Sequence, residues 1–155
     1  MGNLVWHSYA RFVSITASVY AVWAGFWGLF YRKYFFDFVG GTLRDPGGMQ
    51  APPSAAPFVA IIVKLPLVQI IAMTLGFIML AMECPLPLIK EYAIYRSLVV
   101  RIVLLLVQVF VNILYYQGTN AAIWSFIAAF CYWRAVSHGE LMEEAKENRG
   151  KGGDA

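Results

Sequence analysis

Long apolar runs, rather than short alternations of apolar and polar positions, organise this chain. Four stretches read as helices that cross a bilayer: residues 12–31, 58–82, 96–116 and 119–136. A bilayer core needs about 20 residues of helix. Strands of a membrane barrel would alternate inward and outward over about ten residues, and no such alternation occurs. The expected fold is therefore all-α, a polytopic membrane protein built as an antiparallel four-helix transmembrane bundle. Residues 1–138 make the bundle, with an external loop at 32–57. Residues 139–155, rich in charge and glycine, make a cytoplasmic tail. The loop joining the last two helices, "YYQGTN", is too short for anything but a tight antiparallel hairpin.

Two helices carry opposed faces. At about 100° per residue, Ser14, Ala17, Ser18, Ala21, Ala24, Gly25 and Gly28 gather on one side of the first. Tyr20, Trp23, Trp27 and Phe30 gather on the other. Small residues four apart let helix backbones approach closely. The fourth helix repeats the pattern, with Ala121, Ala122, Ser125 and Ala129 against Phe126, Phe130 and Trp133. The bundle is expected to close through its small faces and turn its aromatic rows outward. The row Tyr20, Trp23, Trp27 and Phe30 is a candidate docking face for a larger membrane protein. Plain exposure to lipid is the alternative.

The third helix carries a polar stripe, Arg101, Gln108 and Asn112, spaced by seven and four so that all three share one face. Glu83 closes the second helix at the same end, and an ion pair between Glu83 and Arg101 is expected. The stripe has two readings. It holds helices together by hydrogen bonds, or it lines a wet path. Lys64 interrupts the apolar run "APFVAIIVKLPLVQIIAM". It lies roughly 9 Å from the start of its helix, close enough for its long stem to carry the ammonium back to water. Lys64 is thus read as a boundary charge, with Asp37 and Asp45 as candidate partners. Pro66 predicts a kink or a broken first turn beside it.

Composition adds weight to the membrane reading. The chain is 60% hydrophobic and 14% charged, and its mean hydropathy is +0.62. Soluble domains run about 45–50% apolar and about 25% charged. With four spans, eight Lys and Arg fall on the side of the termini and four on the other. The positive-inside rule then places both termini in the cytoplasm. Only His7 and His138 exist, so a haem held by two histidines within the bundle is not expected. No Cys, His and carboxylate set has metal-ligand spacing. Neither a Ser-His-Asp set nor a glycine-rich phosphate loop occurs. The expectation is no catalytic residue, no cofactor site, no metal site and no nucleic-acid partner. Grooves beside bulky aromatics would suit a bound phospholipid or sterol.

Two stretches, "FYRKYFFDFVGG" through "DPGGMQAPPSAAP" and "LYYQGTNAAIWSFIAA", resemble those of small fungal four-span membrane proteins of unknown function. The resemblance reaches to about His138. It implies a multi-pass integral membrane protein of the plasma membrane or secretory pathway, and it carries over no catalytic or ligand residue. In layout the chain is also similar to MARVEL-type tetraspan scaffolds. The expected role is a non-enzymatic tetraspan accessory or scaffold subunit that packs against a larger membrane complex, such as a pump, transporter or synthase. The expected partners are that larger complex, further copies of this chain or both, together with membrane lipids. The alternative is a small oligomeric channel or carrier whose pore is lined by the third helix.

Overall fold

The computed structural model describes residues 4–32, 52–84 and 93–142. Most of the expected external loop, the candidate partners Asp37 and Asp45, and the tail from residue 143 lie outside the described residues. What is described is helical, with no strand. Helix α1 runs Trp6–Phe30, α2 Pro53–Lys64, α3 Leu67–Glu83, α4 Ala93–Arg96, α5 Leu98–Ile113 and α6 Thr119–Ser137. A 3-10 turn at Tyr116–Gly118 joins α5 to α6.

The four longer helices pack in a closed ring. Helix α1 lies against α3 and α6, and α5 lies against the same two. Neighbours run antiparallel. Near one end, Arg11 of α1 meets the last residue of α3. Near the other, Gly28 of α1 faces Gln69 of α3 and Tyr115 beside α6.

Small residues set the distance between α1 and α3. Ser14, Ala17, Ser18, Ala21, Ala24, Gly25 and Gly28 are all buried. On the facing helix, a Cβ added at Gly76 would stand 3.0 Å from the carbonyl oxygen of Ser18 and 2.8 Å from Val22 Cγ2. Backbone therefore touches backbone there. Many large apolar side chains stand outside on every long helix, although Ile62, Met79, Leu105, Tyr115 and Tyr132 are buried. Phe12 and Trp23 on α1, Phe77 on α3, Phe110 on α5 and Phe130 on α6 are all exposed.

Element boundaries differ from the sequence pattern where capping decides them. Helix α1 starts at Trp6, not near residue 12, because Glu140 supplies the cap that Val5 lacks. Helix α5 starts at Leu98, because Ser97 is extended and its hydroxyl accepts a hydrogen bond from Val100 N at 3.3 Å. The stretch expected as one helix over 58–82 is two helices bent by 62°. Pro66 has no N–H to donate, and it forces the preceding residue out of the helical region. Leu65 accordingly sits at φ −113°, ψ 122°. The last turn of α2, Ala60–Lys64, widens to a π-helix, and Leu65 N bonds back to Ala60 O at 2.8 Å. Two carbonyls at the break find side-chain donors. The Gln69 side-chain amide donates to Ile62 O at 2.9 Å, and Arg32 donates to Lys64 O at 3.0 Å.

The expected division at residue 138 also shifts. Gly139, at φ +69°, turns the chain back, and both Glu140 and Met142 pack on the bundle. Among the described residues, α1 alone is long and apolar enough to cross a membrane by itself. Helices α2 and α3 reach that measure only as a bent pair, and α5 is a shorter apolar helix.

Substituting Gly76→Val is expected to destabilise the protein by about 1–3 kcal/mol, the usual range for overpacking. The collision is with backbone, which cannot swing aside. Thermal unfolding followed by circular dichroism reads the loss. An unchanged midpoint would contradict the contact between α1 and α3.

Candidate functional site

Polar side chains occupy the interior in two groups. The first sits where α1 begins, α3 ends and α5 begins. Arg101 and Glu83 are each about 1% exposed in their side chains, and Arg101 Nε lies 3.5 Å from Glu83 Oε1. The same carboxylate oxygen accepts from the Tyr132 hydroxyl at 2.7 Å. The remaining Arg101 donors go mainly to chain ends. One terminal nitrogen donates to Met82 O at 2.9 Å. The other donates to Tyr95 O and approaches Met142 Sδ at 3.2 Å. The guanidinium also lies over the Tyr95 ring, 5.1 Å from its centroid, a cation–π contact. Arg11 completes the group by donating from Nε to Glu83 O at 2.9 Å, so it closes an α3 carbonyl that has no partner within its helix.

The second group lies further along α5. Gln108 donates to the Ser125 hydroxyl at 2.9 Å, and Ser125 donates to Ala121 O at 2.6 Å. Asn112 donates to Gln108 O at 2.8 Å and accepts from the Tyr115 hydroxyl at 2.9 Å. Leu105, fully buried, stands on the same face between the two groups. The stripe Arg101, Gln108 and Asn112 thus shares one buried face, but it is not one continuous polar surface. Gly118 fits under this group because a Cβ there would meet Asn112 O and the Tyr115 ring.

Beside the first group lies a cavity of about 240 Å³. Its walls come from α1 (Ser8, Arg11 and Phe12), the end of α3, and the start of α5 (Leu98 and Arg101). A latch adjoins it. Glu140 accepts from Trp6 N at 3.0 Å and from His7 N at 2.8 Å, and it lies 2.8 Å from His7 Nδ1. Arg134 adds a contact over the Trp6 ring at 5.5 Å. Partial burial tends to raise the Glu140 pKa. The hydrogen bonds from His7 and Trp6 outweigh it and bring the group below its ordinary value.

The other expected residues lie apart from this end. Lys64 is exposed at the close of α2, and its carbonyl rather than its ammonium makes the contact with Arg32. Tyr20, Trp23, Trp27 and Phe30 all lie on the exposed face of α1, with Phe30 the most open at 66%. Trp23 and Trp27 meet edge to face at 5.7 Å, and Trp27 stacks on Tyr31 at 6.0 Å. Phe26 extends this cluster through edge contacts with Trp27 and Phe30.

Sequence reasoning passed over several participants. Gln69 carried a local signal, being the polar residue three places after Pro66 in an apolar run. Arg11, Tyr132 and Glu140 carried none, because each has an ordinary place at a helix end or on an aromatic helix.

Residues 1–140 match the model of a domain of unknown function, DUF7727, and the chain belongs to that family. No curated protein and no solved structure matches it.

Removing one member of the buried pair should cost far more than removing both. Arg101→Met leaves Glu83 buried without its cation and is expected to cost about 3–5 kcal/mol. The double change Arg101→Met with Glu83→Gln is expected to recover part of that loss, read as a coupling energy from a double-mutant cycle. Additive effects would mean that the two side chains do not interact.

The latch should be sensitive to acid. A carboxylate with a lowered folded pKa contributes its stability in full above the unfolded value of about 4.3. That contribution disappears as pH falls through the lower folded value. Protection of the Trp6 and His7 amides against hydrogen exchange is expected to follow this course, and Glu140→Gln should weaken it at neutral pH. Protection that is unchanged in that variant would show that the cap is not what holds the start of α1.

Proposed function

We propose that this chain is a membrane-embedded, antiparallel four-helix bundle that serves as a non-enzymatic accessory or scaffold subunit of a larger membrane complex. The observation that carries the reading is the inversion of polarity between interior and exterior. The buried set is dominated by Ala, Gly and Ser together with Gln69, Glu83, Arg101, Gln108 and Asn112. The exposed set includes Trp, Phe, Ile, Leu and Val on all four long helices. Water would penalise such an exterior, whereas hydrocarbon accepts it, and small residues inside are what helices use to associate in lipid.

Helix lengths fit this reading with help from the connections. Helix α1, with 25 residues, reaches about 38 Å at 1.5 Å per residue. Helices α3 and α5 have 17 and 16 residues and reach about 24–26 Å, somewhat less than a typical core of about 30 Å. On the proposed topology α2 makes up the difference for α3, and the termini and residues 85–92 lie in the cytoplasm.

The docking element is the aromatic cluster of α1. Its rings already touch one another, so little conformational freedom remains to be lost on binding, which favours aromatic anchors. The pairing of Gln108 and Asn112 within one chain, with Leu105 above them, favours this role over a pore lined by α5.

Purification of the tagged protein from native membranes in mild detergent, followed by sizing and mass spectrometry, tests the role. A stoichiometric larger membrane protein is expected to co-purify. Trp23→Ala with Trp27→Ala should weaken that complex at least tenfold, by roughly 1.4 kcal/mol or more, while helical content is retained. A homogeneous self-assembly with no partner, or a protein recovered away from membranes, would rule the reading out.

A further inference from the structure

The geometry points to the 240 Å³ cavity between α1, α3 and α5 as a binding site for a phosphate headgroup carried on an apolar tail, with Arg11 as its principal ligand. The source of that phosphate, as distinct from its chemistry, rests on the membrane reading above.

Charge selects an anion. Among the described residues, three ionised side chains other than a histidine line the cavity, namely Arg11, Arg101 and Glu83, which sum to +1. Glu83 is the adverse group, but Arg101 and the Tyr132 hydroxyl both engage its carboxylate. The acceptors for Arg101 are otherwise neutral carbonyls and a thioether. Its fully buried Nε has no hydrogen bond of good geometry, and the 3.5 Å approach to Glu83 is an ion-pair contact only. The bundle thus keeps one cation at this wall with its charge only partly answered.

Arg11 supplies the reach. Its Nε is committed to Glu83 O at 2.9 Å, which fixes the guanidinium plane at the rim. Its two terminal nitrogens have no hydrogen-bond partner among the described residues, and the residue is exposed. A guanidinium held in this way offers a fork that matches two phosphate oxygens.

Size and polarity select the rest of the ligand. A volume of 240 Å³ exceeds the roughly 150 Å³ of an engineered cavity that takes up benzene. That admits a phosphate and a glycerol-sized group but not two acyl chains. Phe12 and Leu98 form apolar wall. Phe12 is 70% exposed, so it belongs both to the cavity wall and to the apolar exterior, where a tail would lie. Basic pockets between helices at the cytoplasmic side are a recurrent means of holding acidic lipid headgroups.

The test uses the full chain reconstituted into phosphatidylcholine vesicles, with or without a minor fraction of phosphatidic acid. Flotation first establishes insertion. A chain that does not float overturns the membrane reading and the lipid source together. For inserted protein, phosphatidic acid is expected to raise the unfolding midpoint in a saturable way, as a ligand of the native state must. Arg11→Gln should weaken the apparent affinity by about tenfold, the loss of one charge-assisted hydrogen-bonded pair. Ser8→Trp, which keeps every charge and fills the cavity from an exposed position, should weaken it as well. This second variant guards against a folding defect in the first. Inorganic phosphate added to pure phosphatidylcholine vesicles should have no effect. An equal shift there would assign the site to a soluble phosphate ester and overturn the lipid source. Stabilisation that is absent, or equal in the parent protein and both variants, overturns the site while leaving the membrane reading in place.

Discussion

The close approach of α1 to α3 is the constraint on which the rest of this structure depends. At Gly76 the two helices meet backbone to backbone, Gly25 repeats the approach against Gln69 O, and Gly28 makes room for the side chains of Gln69 and Tyr115. Dispersion energy falls steeply with separation, so helices that touch in this way gain contact along their whole length. The same closeness removes the space that Leu or Phe would need. Along that contact the interior is left to Ala, Gly and Ser, and larger buried side chains such as Leu105, Tyr115 and Tyr132 come from α5, the turn after it and α6. The inverted polarity of the molecule follows from this spacing.

A tight interior presses its polar atoms to find partners, because each unpaired group costs on the order of 1–3 kcal/mol. Most do, although Ser14 Oγ, Gln69 Oε1, Gln108 Oε1 and Arg101 Nε have no hydrogen bond. The amide group meets this demand locally. Gln108, Asn112, Ser125 and Tyr115 bond to one another or to nearby carbonyls. The charged group meets it by a different route. Arg101 draws on the carbonyls of Met82 and Tyr95 at the mouths of two other helices. Those carbonyls are available because helix ends leave their last acceptors open. One buried arginine therefore ties three chain ends into a single assembly, and the cavity beside it is the space that this assembly does not fill.

The broken helix at Pro66 obeys the same rule. A proline there would leave carbonyls bare on an apolar element. Gln69 and Arg32 answer them from one turn on and from the end of α1. The bend is thus stabilised by residues that a regular helix would not require. It also lets Ile62 pack on the cluster around Tyr115, so the upper end of the bundle is closed by the fragment before the proline.

Much of this was legible in the sequence. Helical period alone separated the small face of α1 from its aromatic face, and the structure buries Ser14 through Gly28 on the first and exposes Tyr20 through Phe30 on the second. The spacing of Arg101, Gln108 and Asn112 put them on one face, and they share one. These are local properties, because a helix places residues i and i+4 together whatever surrounds it. The start of α1, the sharp break before α3 and the partners of Arg101 were not legible in the same way. Glu140 caps a helix more than a hundred residues upstream, and Tyr132 reaches Glu83 from a different helix. Such contacts depend on which helices become neighbours and at what height. Only the packing of small faces in three dimensions decides that.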